Sequence, residues 1–278
     1  MESETGWRRV SRRRPCAICG KPDWCGVSKD GSVAICMRVR SDRPTRNGGW
    51  LHRLADLEAK PPLREYVPRP RRRRQGRDWD AILTWWAKDT TGGRVAQLGR
   101  TLGVSAASLR RLGVRWAARC RAWAFPMADA AGRTIGIRLR ADDGRKWAVR
   151  GSRNGLFRPE RLGEASKAPL LICEGPTDTA ALLDLGYDAI GRPSCTGAVE
   201  MVVDVVRRLK RAEVVVVADA DGPGIDGAEH LARELTLAGR RPRVIRPLAG
   251  KDARAWLAAG ATRAVVDTVI ANAMHWRD

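Results

Sequence analysis

From residue 169 onward, four apolar runs alternate with segments of helical spacing. PLLICEG, YDAIG, EVVVVADAD and RPRVIRPL read as strands, and TDTAALLDLG reads as the helix after the first of them. Val199, Val202, Val206 and Leu209 mark a second helix, and Ile225, Ala228, Leu231, Ala232 and Leu235 a third. Strands that are apolar throughout and separated by helices call for a mostly parallel sheet covered on both faces. The predicted fold class is therefore α/β, with this layer and its C-terminal helices over 168–278.

The chain before that layer is organised differently. Residues 1–15 read as a basic, disordered tail, and 16–58 as a small Gly-rich module with four Cys and one His. Residues 59–77 read as a Pro/Arg-rich linker, because clustered prolines exclude helix and central strand. Residues 78–167 form a basic α+β segment. In it Trp79, Ile82, Leu83 and Trp86 share one helical face, with Trp85 off that stripe as a stacking candidate. RVAQLGRTLGVSAASLRRLGV resembles a helix-turn-helix, although two ordinary packed helices satisfy the same weak pattern. AWAFPM, TIGIRL and KWAV alternate with Gly/Asp turns and predict a small antiparallel sheet.

Charge follows this division. Residues 1–168 hold 38 basic and 16 acidic side chains, whereas 169–278 hold 14 and 15, so the net charge of +21 lies entirely in the first part. A GC-rich genome could produce the 44 Arg, but both halves share one gene, so codon bias does not explain the asymmetry. A basic surface of this size favours a polyanion through counterion release. Nine of the eleven Trp fall in the same stretch, where exposed rings could stack on unpaired bases. No apolar run is long enough to span a bilayer, and no apolar signal segment opens the chain, which predicts a cytoplasmic protein without membrane partners.

Without export, clustered cysteines read as metal ligands. Cys16, Cys19, Cys25 and Cys36 lie within 21 residues. The Cys16–Cys19 pair has the spacing of a metal knuckle. The Asp-Gly turn between Cys25 and Cys36 predicts a hairpin that brings those two together. A module this small needs the free energy of a structural Zn2+. His52 replacing Cys25 is the alternative ligand set. Lys21, Trp24 and Lys29 are candidate nucleic-acid contacts on this module, or simply solvated surface. Cys120, Cys173 and Cys195 read as buried thiols.

The remaining candidates are carboxylates. Glu174 ends one predicted strand, and Asp219 and Asp221 end another. In a parallel sheet these ends share one edge, where open α/β sheets place their sites. Carboxylates held close together repel unless protonated or bridged, and hard oxygen donors suit Mg2+. Asp178, one helical turn after Glu174, and Asp252 in GKDARAWL could join them.

EGPTD followed 45 residues later by DADGPG, on consecutive apolar strands, resembles the Toprim domain over about 168–260. A cysteine-rich module, a linker, a basic middle segment and then Toprim is the order seen in bacterial and phage DnaG-type primases. GKDARAWL resembles the Lys/Gly-Asp segment that follows the last Toprim strand. The cysteine spacing departs from the usual two-CxxC form, and Pro176 stands where primases often have a bulky residue.

The resemblance implies template-directed synthesis of short RNA primers. Single-stranded DNA would be the template and ribonucleoside triphosphates the substrates. Catalysis would use Mg2+ (or Mn2+) at Glu174, Asp219 and Asp221, with Asp178 and Asp252 as weaker carry-overs. Glu174 would act as metal ligand or as general base; the sequence leaves both open. Arg138, Arg140, Lys146 and Arg150, on the predicted middle strands, would contact phosphates. No G-x4-G-K-[ST] loop occurs, so a replicative helicase would be a separate chain. The compartment would be that of a bacterium or a phage-infected cell. Two further classes share these motifs: a Toprim nuclease using the same acids with water, and a non-catalytic recombination or replication factor. A topoisomerase is disfavoured, since the only tyrosines are Tyr66 and Tyr187.

Overall fold

The computed structural model describes residues 6–45, 49–54, 77–162, 168–209 and 213–276, and the chain divides into two units, Met1–Gln75 and Gly76–Asp278. The linker expected over 59–77 lies outside the described residues except for Arg77.

The first unit is built on a four-stranded antiparallel sheet. Its strands β1 (Trp7–Arg9), β2 (Gly26–Ser28), β3 (Val33–Cys36) and β4 (Trp50–Arg53) follow one another in sequence order. β2 and β3 are the expected hairpin, with Gly26 opposite Ile35. The disordered tail expected through residue 15 is corrected here. Trp7, Arg8 and Arg9 pair with Ser28, Val27 and Gly26, so this basic stretch adds an edge strand to the module. Its burial is slight; main-chain pairing, which sequence periodicity does not report over three residues, holds it in place.

The second unit begins with α1 (Trp79–Ala87), capped by Asp78, whose side chain accepts from Ala81 N at 2.9 Å. Trp79 and Trp86 are buried, with Ile82 and Leu83 packed beside them, whereas Trp85 is 44 % exposed and carries the Arg119 guanidinium over its ring. Helices α2 (Gly92–Leu102) and α3 (Ala106–Arg111) follow. They pack into the core through Val95, Leu98, Leu102 and Leu109, and Ser105 and Ser108 donate to Asp184. These are ordinary packed helices.

The antiparallel sheet comprises β5 (Arg115–Ala117), β6 (Ala122–Ala128), β7 (Thr134–Ala141) and β8 (Lys146–Ala148). Ala122 and Ala124 of β6 face α1, while Trp123, Phe125 and Met127 face the α/β core, the alternation of a sheet buried on both sides. Cys120, expected buried, is exposed in the turn Ala118–Cys120 between β5 and β6.

The α/β layer has β9 (Leu170–Glu174), α4 (Gly175–Asp184), β10 (Asp188–Arg192), α5 (Val199–Leu209), β11 (Val214–Val217), α6 (Gly222–Leu237), β12 (Arg243–Ile245), α7 (Ala253–Ala258) and α8 (Arg263–Asn272). The strands run parallel in the order β10-β9-β11-β12. Leu171, Cys173, Val215 and Val217 face α4, α7 and α8, whereas Leu170, Ile172, Val214 and Val216 face α5 and α6. This is the predicted α/β class, with both faces of the sheet covered. The two sheets of this unit are joined at a seam. Leu156 exchanges hydrogen bonds with Ala128 of β6, and its neighbour Phe157 does the same with Gly191 of β10.

Candidate functional site

Glu174 is the last residue of β9 and the N-cap of α4. Gly175 follows at φ +71°, a conformation that glycine adopts without strain, and Pro176 fits the first helical turn, so chain direction reverses sharply behind the carboxylate. One turn on, Asp178 is buried and accepts from Arg254 N at 3.0 Å. Asp219 lies two residues past β11. Gly224 packs where a Cβ would stand 2.7 Å from Asp219 Cβ, so α6 can begin directly against it. Asp252 is buried and N-caps α7 through Ala255 N at 2.7 Å.

These four acids line one cleft of about 360 Å³. Arg138 and Arg140 of β7 and Lys146 of β8 line it as well. The β7–β8 register sets Arg140 opposite Lys146, and Arg138 lies two positions along the same face, which makes a ladder of three cations. Lys251 and Arg254, which motif reading passed over, also line the cleft, together with Phe125 and Phe157. Lys251 could have been noticed as the neighbour of Asp252 in GKDARAWL. The two phenylalanines carried no signal, because their segments read only as strand and turn.

Two sequence candidates do not line the cleft, although Asp221 is near enough to act electrostatically on Glu174 and Asp219. Asp221 is exposed and turned to α6, accepting from Gly224 N at 2.9 Å, and it does not line the cleft. The strand ends at Val217, so neither Asp219 nor Asp221 lies on it as the sequence pattern had placed them. Arg150 lies beyond β8 in an exposed turn, not on a strand, and likewise does not line the cleft.

Burial and mutual repulsion act on the acids together. Burial, despite the Arg254 N–H, pushes Asp178 up to about 7, with Asp252 and Asp219 adding to the rise. Burial and then Glu174 push Asp219 up to about 6. Glu174 is raised by burial against the opposing pull of Arg192. Lys146 is lowered by burial and by Arg140. Glu174 Oε1 is buried without a hydrogen-bond partner among the described residues. Such a set, with an unpartnered carboxylate oxygen and acids reluctant to ionise, fits a hard divalent cation.

Cys16, Cys19, Cys25 and Cys36 gather with their sulfurs within 4.8 Å of one another; among the described residues no comparable group of three carboxylates gathers on one point. Backbone N–H groups of Met37, Arg38 and Val39 point at Cys25 and Cys36 sulfurs at 3.3–3.5 Å, the arrangement that supports thiolates at a metal. Burial pushes Cys25 up to about 12, whereas backbone and thiol donors outweigh burial at Cys19 and bring it down to about 7. The cluster fits a zinc module. His52 is engaged elsewhere, with Nε2 3.1 Å from the Val39 carbonyl. Trp24 is 74 % exposed at φ +66°, and Lys21 and Lys29 are exposed.

No protein-family model matches the sequence, and no curated protein does. Solved structures do. The Escherichia coli primase catalytic core superposes with TM-score 0.56 at 17 % identity, over 70 % of this chain and 79 % of that one. This chain has the fold of a DnaG primase catalytic core. A DnaG catalytic domain described as bound to single-stranded DNA matches with TM-score 0.56 at 17 % identity, over 70 % of this chain and 77 % of that one. The Aquifex aeolicus primase, described as zinc-binding and RNA polymerase domains, gives 0.59 at 13 % identity, over 71 % of this chain and 60 % of that one. Within the described residues, no helix of this primase-like fold is long and apolar enough to cross a membrane.

Proposed function

We propose that the chain is a DnaG-type primase that copies single-stranded DNA into short RNA primers. The observation that carries this reading is the cleft itself, in which the ladder Arg138–Arg140–Lys146 and the acids Glu174, Asp178, Asp219 and Asp252 line one space on a primase-core fold.

The residues divide the chemistry between them. Arg138, Arg140 and Lys146 would hold template and nucleotide phosphates in line with the acids. Asp219 and Asp252, with Asp178 in the same cleft and Asp221 nearby, would hold Mg2+. When bound, it would supply Lewis-acid polarisation of the α-phosphoryl group and offset the charge of the departing pyrophosphate. Glu174 would act as a metal ligand or as the general base that takes the proton of the primer 3′-hydroxyl, whose oxygen would replace pyrophosphate on the α-phosphorus. Four thiolates would hold a structural Zn2+, with Trp24, Lys21 and Lys29 offered to template bases and backbone. A helicase would be the partner that unwinds the template, and the compartment would be the bacterial or phage-infected cytoplasm.

One incubation tests the reading: single-stranded DNA, ribonucleoside triphosphates and Mg2+, scored for RNA products and for DNA cuts. Short RNA from the native chain, lost in an Asp219→Ala/Asp221→Ala variant that still binds DNA, is the expected result. Cutting without nucleotides would replace the polymerase reading with a nuclease, and undiminished synthesis by the variant would reject the site.

A further inference from the structure

Arg192 heads the fully buried side chains in size, at 2 % exposure, and occupies the last position of β10. The parallel register sets it beside Glu174 of β9. The residue before it, Gly191, is held on its other edge by Phe157. Neither Nε nor Nη1 of Arg192 has a hydrogen-bond partner among the described residues, and the same holds for Glu174 Oε1. A buried guanidinium with two of its three nitrogens unpartnered is unfavourable, and an apolar side chain of similar length is commonly the more stable filler. Packing therefore gives no reason for an arginine at this position. Its charge does, because Glu174 and Asp219 both lie within its electrostatic reach.

We propose that Arg192 is a positioning residue that sets how tightly the cleft holds its divalent ion. It stands behind Glu174 as a fixed positive charge and opposes that ion until substrate arrives. The acids of the cleft attract a cation against the five cationic side chains that line it with them, and a guanidinium beside one of the acids removes a further part of that attraction. A nucleotide brings phosphate oxygens and negative charge of its own, which restore it. The cleft then takes ion and triphosphate together and stays empty between turnovers. The role of the triphosphate here rests on the polymerase reading above; the effect of Arg192 on the ion does not.

The test reads Mn2+ binding to the full chain without nucleotide, by calorimetry or by the loss of the free-ion paramagnetic signal. Arg192→Met and Arg192→Gln are expected to bind Mn2+ roughly tenfold tighter than the native chain, and Arg192→Lys to stay within about threefold of it. Unchanged or weaker binding in both neutral variants overturns the proposal, since an arginine with a purely structural role would leave affinity level or lower it. A second comparison covers failure of a single variant to fold. Glu174→Gln leaves Arg192 uncompensated and binds weakly, and Glu174→Gln/Arg192→Met is expected to recover affinity. A double variant no tighter than Glu174→Gln also overturns the proposal. Primer synthesis by the native chain is scored separately. Its absence would reject the polymerase reading while the Mn2+ result stands, and primers with unchanged Mn2+ affinity would reject only the role of Arg192.

Discussion

Arg254 and Asp178 are joined by main chain to side chain: the Arg254 N–H donates to Asp178 Oδ1 at 3.0 Å. The first turn of α7 is thereby tied to the first turn of α4, although the two residues are 76 positions apart in sequence. The same carboxylate thus serves the fold and lines the cleft.

That double use separates two substitutions. Asp178→Asn keeps an acceptor for the buried N–H, whereas Asp178→Ala strands it at a cost of about 1–3 kcal/mol. Urea unfolding should therefore show a clear loss for alanine and little for asparagine. Mn2+ binding should fall in both.

Asp178 and Asp219 have folded-state values of about 7 and about 6, above the ordinary carboxylate range. The folded chain therefore holds these protons more tightly than the unfolded chain. The stabilisation is full below about pH 4 and is lost as pH rises through 6 to 7. The metal-free second unit should melt at lower temperature at pH 8 than at pH 5. Added Mg2+ should raise its melting temperature more at pH 8, where the acids are ionised. A shift by Mg2+ as large at pH 5 would show that these groups do not bind it.

The four-cysteine module should depend on metal as the body does not. Chelation, or Cys36→Ser, should abolish the unfolding transition of Met1–Gln75 and release zinc to a colorimetric indicator. Calorimetry should find the transition of Gly76–Asp278 in place, since each unit has its own core.

Replacing Arg138, Arg140 or Lys146 by Gln should weaken single-stranded DNA binding. Each replacement should flatten the salt dependence of the binding constant by about one unit of slope. Arg150→Gln, in its turn outside the cleft, should cost less. Fluorescence anisotropy across a salt series measures both.

Periodicity made the α/β layer legible because its strands are apolar on both faces and its helices keep one stripe each. Val199–Leu209 and Gly222–Leu237 stand where the spacing put them. The cysteine group was legible because ligands must converge, and a turn between Cys25 and Cys36 says how. Lateral events were hidden. The pairing of Trp7–Arg9 with β2 is made by backbone, which leaves no side-chain signature. Asp219 and Asp221 do not end the strand as expected, because β11 stops at Val217 and Asp221 caps the helix that follows. Arg192 was illegible because nothing in its local sequence announces that register will lay it beside Glu174.

The two-residue seam at Leu156 and Phe157 has a mechanical result. Hydrogen bonded on one edge to β6 and on the other to β10, it welds cation-bearing and acid-bearing sheets into one plate. Jaw-like closing between those sheets would have to break the four main-chain hydrogen bonds of this weld.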